Sequence, residues 1–237
     1  MTGISKRLEC LIEMIKSRES HSLADIGCDH GFVPINLLES GIIEKAVAVD
    51  LRDGPLDRAR QNARLAGASV ASKIRFSKSD GLRDLRSGEA DTVVITGMGG
   101  RTIVRILEEA QEEVLRSIKR FVFGPQSEQD CFRRDILDMG FNISEERLIK
   151  EGGKFYNFIE ATQSTITGSK NCWSEADFIY GKILIERRDI LLLEKLESDR
   201  ELIMRIISSS ESLPKDRLEE LLSQKKLIEG VIQLYEA

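Results

Sequence analysis

Five times between Leu23 and Met139 a short apolar run gives way to a stretch with helical periodicity. The runs are Leu23–Gly27, Lys45–Asp50, Ile74–Ser77, Asp91–Thr96 and Arg120–Phe123. Strands separated by helices are joined by crossovers, which make them parallel neighbours in one sheet with helices on both faces. Ligands of such sheets bind in the crevice at the carboxyl ends of the strands. Four runs give onto turns marked by glycine or an acid, at Gly27, Asp50, Asp80 and Gly97, and all four turns open at that edge. The rhythm then changes: Phe141–Lys150 and Phe155–Ala161 are strand-like runs joined at Gly152-Gly153, the mark of an antiparallel hairpin. The expected fold is α/β, a mostly parallel seven-stranded sheet closed by an antiparallel hairpin.

The rest reads as helix. Ile4, Leu8, Leu11, Ile12 and Ile15 form the apolar stripe of an amphipathic helix ahead of the first strand, with Ser5-Lys6-Arg7 on its opening turn. Further helices are expected near Pro34–Ser40, Pro55–Ala66 and Arg101–Leu115, and up to Met139. Thr162–Asn171 is polar and aperiodic, a linker. Beyond it Ile179, Ile183, Ile190, Leu193, Leu196, Ile203 and Ile207 follow the multiples of a coiled-coil seam. Ser208–Pro214 breaks that helix, and Leu218, Leu221, Leu222, Ile228, Ile232 and Tyr235 give a second apolar face. Residues 1–161 thus form a ligand-binding domain, 162–171 a linker, and 172–237 an antiparallel helical pair suited to capping the core, dimerisation or RNA docking.

With 41% hydrophobic residues over 237 positions the chain can bury a core. No apolar run approaches the roughly 20 residues of a membrane span. MTGISKRLEC lacks the apolar centre of an export signal, so a cytoplasmic location is expected. Cys10, Cys28, Cys131 and Cys172 are scattered with no C-x-x-C pair, which argues against a disulfide framework and against a metal site. A net charge of -5 means that a nucleic-acid partner must be met by local basic faces.

Leu23–Gly31, LADIGCDHG, leaves several ligands open, because glycine turns after a strand serve nucleotides, dinucleotides and S-adenosylmethionine alike. Asp50 stands 23 residues beyond Gly27, near the spacing at which an acid ending the second strand binds ribose hydroxyls. Asp29 stands where a dinucleotide fold has its second glycine against the pyrophosphate. A sulfonium cofactor tolerates an acid there, and a pyrophosphate does not, so an NAD-dependent oxidoreductase is disfavoured.

Taken in order, Ser5-Lys6-Arg7-Leu8, Ala24-Asp25-Ile26-Gly27-Cys28-Asp29-His30, Gly54-Pro55, Asp80-Gly81-Leu82, Gly97-Met98-Gly99-Gly100 and Gly153-Lys154-Phe155-Tyr156 resemble the bacterial tRNA (adenine-22, N1)-methyltransferase family, TrmK. That family lies within the class I S-adenosylmethionine-dependent methyltransferases, whose fold is Rossmann-like. The resemblance covers Ile4 to Ala161 and, more loosely, the helical tail. It implies that Gly27 admits the methionine part of S-adenosylmethionine, that Asp50 takes both ribose hydroxyls, and that Asp80 and Gly81 meet the adenine. Leu51 and Leu82 would be apolar walls, and Asp29, Gly97 and Met98 complete the cofactor set. Met98 would also pack against the target base.

The implied reaction is methyl transfer to adenine N1, which bears no hydrogen and needs no obligatory base, so catalysis is mostly positioning. Asp29 is the candidate catalytic residue, its carboxylate offsetting the charge that N1 gains. Capping the next turn, or binding the cofactor's amino group, is its alternative. His30 would fix the loop. Lys6, Arg7, Arg101 and Arg105 would hold the RNA backbone, with Pro125 and Gln126 facing the substrate. The implied partner is tRNA, with no metal and no membrane, and the chain a monomer or weak homodimer. At Gly124-Pro125-Gln126 the family pattern is Gln-Pro-Asn, and Thr96-Gly97-Met98-Gly99 replaces the Asn/Asp-Pro-Pro-Tyr loop of enzymes that methylate exocyclic amines. Two alternatives stay open: a class I methyltransferase with another RNA, small-molecule or protein substrate, and a non-catalytic adaptor that uses the helical tail.

Overall fold

The computed structural model describes residues 5–163, 172–209 and 213–236. Ser5 opens α1 (Lys6–Lys16) by accepting from the Leu8 N–H at 3.2 Å, and the helix turns Leu11, Met14 and Ile15 inward. Ile4 lies outside the described residues. The sheet comprises β1 (Ser22–Ile26), β2 (Lys45–Asp50), β3 (Ile74–Lys78), β4 (Thr92–Met98), β5 (Arg120–Pro125), β6 (Phe141–Glu151) and β7 (Lys154–Gln163). Its order is β3-β2-β1-β4-β5-β7-β6. The first five strands are parallel, and β7 runs antiparallel to both β5 and β6.

Helices α2 (Phe32–Glu39), α3 (Asp53–Ala66) and α4 (Ala68–Ala71) join α1 on one face of the sheet. On the other lie α5 (Gly100–Glu108), α6 (Glu112–Ser117) and α7 (Gln129–Asp138). Successive strand residues point to opposite faces, so each face has its own core. Leu23, Ala48, Leu56 and Val94 serve one, and Val47, Val93, Ile103, Phe121 and Phe132 the other.

Two expectations about the helices fail. No helix joins β3 to β4, so strand and helix alternate four times rather than five. The connection is a run of turns with Gly81 and Gly88 at positive φ. Arg75 clamps it, donating to Asp84 at 2.9 Å and to Glu89 at 2.7 Å. The helix expected over Arg101–Leu115 is two helices, because Gln111 takes extended backbone (ψ 134°) and restarts the chain as α6, bringing Val114 and Leu115 onto the sheet.

The tail begins with a π-helical turn, Asp177–Gly181, followed by α8 (Lys182–Glu186), α9 (Ile190–Ser209) and α10 (Lys215–Glu236). Tyr235 donates its hydroxyl to the Asp189 carbonyl at 3.0 Å, so α10 returns antiparallel along α9. The seam read as one helix over Ile179–Ile207 is interrupted twice. Gly181 has φ 97° against Glu146, where an added Cβ would fall 2.7 Å from the carboxylate. Arg188 has φ 52°, after which Asp189 starts α9 by accepting from the Leu191 and Leu192 N–H groups. The register shifts accordingly, and Ile190, read as inward, is exposed; on α10 Leu222, also read as inward, is exposed beside the buried Leu221.

A fully buried ion pair docks the tail. Arg133 of α7 meets Glu146 of β6 at 2.8 Å and donates to the Phe178 carbonyl at 2.8 Å, while Glu146 accepts from the Ile183 N–H at 3.0 Å. Most of the stretch read as a linker (164–171), and residues 210–212 of the helix break, lie outside the described residues. Among the described residues no helix is long and apolar enough to cross a membrane.

Candidate active site

The carboxyl edge of the sheet opens into a cleft of about 950 Å³. One half is made by the turns after β1, β2 and β3, and the other by the turns after β4 and β5, the start of β7 and the first turns of α1. Every residue read as a site residue lines it except Lys6, Arg101 and Leu82. The exposed Lys6 gives its backbone N–H to Glu151 at 2.7 Å. Arg101 pairs with Glu128 at 2.9 Å, outside the cleft. Leu82 is a core residue packed with α5, not a wall of the site.

In the first half the chain leaves β1 through Gly27 at φ 77°, and the N–H groups of Gly27 and Cys28 both donate to the Val49 carbonyl, at 2.8 and 3.0 Å. This ties the turn to β2. A methyl on Gly27 would come within 2.5 Å of Met98 Cε, so glycine leaves a space that Met98 reaches across to fill. Asp29 also lies in the left-handed region (φ 45°), which non-glycine residues seldom adopt. Its carboxylate is 61% exposed, 3.4 Å from Arg58 and 3.3 Å from His30 Nε2. It caps no helix, since α2 starts behind Gly31 without a side-chain cap.

Asp25, the one charged residue of β1, is only 3% exposed and accepts no hydrogen bond from the described residues. Burial, reinforced by the carboxylates of Asp50 and Asp29, pushes its carboxyl up to about 7. The same burial, with Asp25 beside it, pushes the Cys28 thiol up. Asp50 closes β2, buried, and accepts from the Arg52 N–H through Oδ1 at 2.9 Å. Leu51 stands exposed beside it. Asp80 is held by Arg105, which reaches its two oxygens at 3.3 Å each and Glu109 at 2.9 Å. Gly81 (φ 62°) packs on Ile106, 2.8 Å from where a Cβ would stand. The half is strongly acidic, and two of its carboxylates are buried, Asp25 with no ion-pair partner among the described residues and Asp50 with only the exposed Arg52 guanidinium at 4.0 Å, which suits a cationic ligand carrying a diol.

In the second half the three glycines of Gly97–Gly100 divide their work. Gly97 (φ 79°) faces the cleft, whereas Gly100 gives its N–H to Ser127 at 3.0 Å and has no room for a Cβ against Glu128 and Phe132. Gln126 N–H donates to the Met98 carbonyl at 2.9 Å, and the Gln129 amide to the Pro125 carbonyl at 3.2 Å, so the β4 and β5 turns brace each other. Arg7 pairs with Glu151 at 2.7 Å and lies over the Tyr156 ring at 4.7 Å. Lys154 lines the same rim, exposed and without a carboxylate partner among the described residues. Asn157 is buried on β7 and still lines the cleft.

Sequence reasoning gave no role to Asp25, Lys154 or Asn157. The signal for Asp25 was present, an ionisable residue inside an apolar strand. Lys154 lies within the Gly153-Lys154-Phe155-Tyr156 motif, and Asn157 is marked only by being, with Glu160, a strongly polar residue of the Phe155–Ala161 run.

A family model described as Methyltransferase domain matches residues 4–159. The chain belongs to this family. Over 235 residues it is 27% identical to the tRNA (adenine(22)-N(1))-methyltransferase of Bacillus subtilis (strain 168), covering 97% of each chain. Among solved structures it is similar to the B. subtilis M1A22 tRNA methyltransferase TrmK, with a TM-score of 0.81 at 25% identity, covering 98% of this chain and 100% of that one. It is also similar to Streptococcus pneumoniae Sp1610 in complex with S-adenosyl-L-methionine, with a TM-score of 0.82 at 28% identity, covering 97% and 100%. The Rossmann-like sheet and its closing hairpin accord with membership of this methyltransferase family, and the likeness to the two solved structures extends over the helical tail.

Proposed function

We propose that this chain transfers the methyl group of S-adenosylmethionine to N1 of adenine 22 in tRNA. The division of the cleft carries the reading: buried acids over β1 and β2, and over β4, β5 and β7 an amide-bearing half lined by no acid, with Arg7 and Lys154 at its rim. The likeness to the B. subtilis enzyme along nearly the whole of both chains supports it.

The acidic half fits the cofactor. Asp25, buried and unpaired, would take the ammonium group in preference to the exposed Asp29. Asp50 would take the ribose hydroxyls, since an ionised carboxylate accepts two donors at once. Asp80 would accept from the adenine amino group, with Gly81 N–H at a ring nitrogen and Leu51 laid against the ring. Gly27, Gly97 and Met98 would border the methionine part. When bound, the cofactor supplies an electrophilic methyl on a sulfonium.

Adenine N1 carries a free lone pair, so the protein has no proton to remove there, and it contributes alignment and electrostatics. Asp29 at the rim would offset the charge that N1 gains, an effect tempered by Arg58 3.4 Å away. N1 lies on the Watson–Crick edge, so the base must leave its pair to react. Pro125 and Gln126 would face it, while Lys6, Arg7 and Lys154 would hold the RNA backbone. Arg105 serves Asp80 first, and Arg101 would meet RNA only beyond the cleft. We place the reaction in the cytoplasm, on a monomer or weak homodimer, with 1–161 as the methyltransferase domain, 162–171 as linker and 172–237 as a helical domain.

Incubation with unmodified tRNA and labelled S-adenosylmethionine, followed by mapping of the product, should place the label at N1 of adenine 22. No label at any adenine N1 would overturn the assignment. Asp29→Ala should lower turnover at saturating cofactor, and an unchanged rate rejects its part in the chemistry.

A further inference from the structure

Two buried side-chain atoms have no hydrogen-bond partner among the described residues, Arg133 Nη2 and Asn157 Oδ1. The first belongs to the ion pair that docks the tail. The second belongs to a residue that is 4% exposed and lines the cleft. Few buried polar atoms go unpaired in folded proteins, so an orphan at a ligand cleft points to a partner that arrives with the ligand.

Position decides which ligand. Asn157 pairs with Leu148 across the hairpin and lies two residues from Ile159, the partner of Phe123, which puts it where β5 ends. Three strand spacings separate β7 from β1 in the sheet order, roughly 14 Å at about 4.8 Å per spacing. Asn157 therefore stands away from Asp25 and Gly27, in the half left to the methyl acceptor. Its orphan atom is an acceptor, so the partner it awaits is a donor and not a phosphate oxygen. The other amides there are less suited: Gln129 is engaged with the Pro125 carbonyl, and Gln126 is exposed.

Resting on the tRNA adenine reading, we propose that Asn157 recognises the Hoogsteen edge of the target adenine, its Nδ2 donating to N7 and its Oδ1 accepting from the 6-amino group. An Asn amide matches those two atoms of adenine, and guanine offers two acceptors at the same edge. The arrangement leaves N1 unencumbered for methylation. Asn157 is then the residue that selects adenine.

The test compares kcat/KM on tRNA carrying adenosine or 7-deazaadenosine at the target position, for wild type, Asn157→Ala and Asn157→Asp. Loss of N7 should cost the wild type about tenfold. The penalty should shrink to the intrinsic reactivity difference in Asn157→Ala, which has no donor for N7, and in Asn157→Asp assayed at alkaline pH, where the carboxyl is ionised and cannot donate. Asn157→Asp keeps the side-chain volume and an acceptor, so it should still prefer adenosine to purine riboside, which lacks the 6-amino group, while Asn157→Ala should not. Cofactor affinity should be unchanged in both variants. An equal 7-deaza penalty in all three proteins, or none in the wild type, overturns the proposal while leaving the N1 assignment intact. Failure of the wild type to methylate adenine N1 in unmodified tRNA overturns the underlying reading and the proposal with it.

Discussion

The two halves of the cleft are made in different ways. In the β1–β3 half each strand delivers its own functional group as it ends, Gly27 after β1, Asp50 on β2 and Asp80 after β3, so that a few consecutive residues define each part. In the β4–β5–β7 half the groups come from far apart in the chain: Arg7 from α1, Gln126 from the β5 turn, and Tyr156 and Asn157 from a strand inserted antiparallel beside β5. The first half is acidic and suits a small cation, whereas the second presents amides and an aromatic ring and suits a base. A binding site written turn by turn thus sits beside one that exists only once the hairpin is in place.

This division can be broken by substitution. Asp50→Ala should have the largest effect: loss of a charged acceptor for two hydroxyls lowers cofactor affinity by about a hundredfold or more in calorimetric titration. The tRNA affinity of the cofactor-free protein should hold, and its loss would mean that the halves are not separate. Asp25→Asn should act more subtly. Its carboxyl titrates near 7 when folded against 3.8 as its ordinary value, so the folded state binds more protons. Stability from this group is present below about 3.8 and is lost as pH rises through 7. The amide should therefore raise the Tm of the cofactor-free protein by roughly 5 °C at pH 8 and by less at pH 5. It should also abolish the gain in cofactor affinity expected of the wild type between pH 6 and 8, as the Asp25 carboxyl ionises. A pH-independent affinity in the wild type would remove Asp25 from the ammonium site.

The other half should respond more weakly and only toward RNA. Lys154→Ala should raise KM for tRNA by roughly threefold to tenfold and lower the salt dependence of binding by about one ion, leaving cofactor affinity unchanged. Arg101→Ala should do least, less than about twofold on KM, because Glu128 already holds its guanidinium outside the cleft. A tenfold loss would show that the RNA surface extends past the rim.

The same contrast explains what could be read from the chain alone. The acidic half was legible because glycine and acid turns at strand ends are local features, and only Asp25 escaped, its residue type being at odds with the apolar strand around it. The absent helix between β3 and β4 was not legible, since Arg75 and its carboxylates organise that segment across fourteen residues. Periodicity carried the tail seam straight through Gly181, because the carboxylate of Glu146 that excludes a Cβ there comes from another part of the fold. Asn157 could be placed on a strand, but its lack of a partner is a property of the assembled cleft.

Because β7 lies between β5 and β6 in the sheet, β6 leaves the ribosome before the one strand with which it pairs there. Until β7 follows, eleven residues of strand-forming chain have two open edges, the situation in which nascent chains adhere to one another. The sequence of β6 meets that hazard with Glu145, Arg147, Lys150 and Glu151, charges that interrupt its apolar positions and oppose pairing between chains. In the finished molecule three of these charges find partners in α1 and the tail: Glu151 with Arg7, Glu145 with Arg187, and Lys150 with Glu194. Charges that oppose pairing between nascent chains are thus the ones that fasten this edge strand to α1 and the tail.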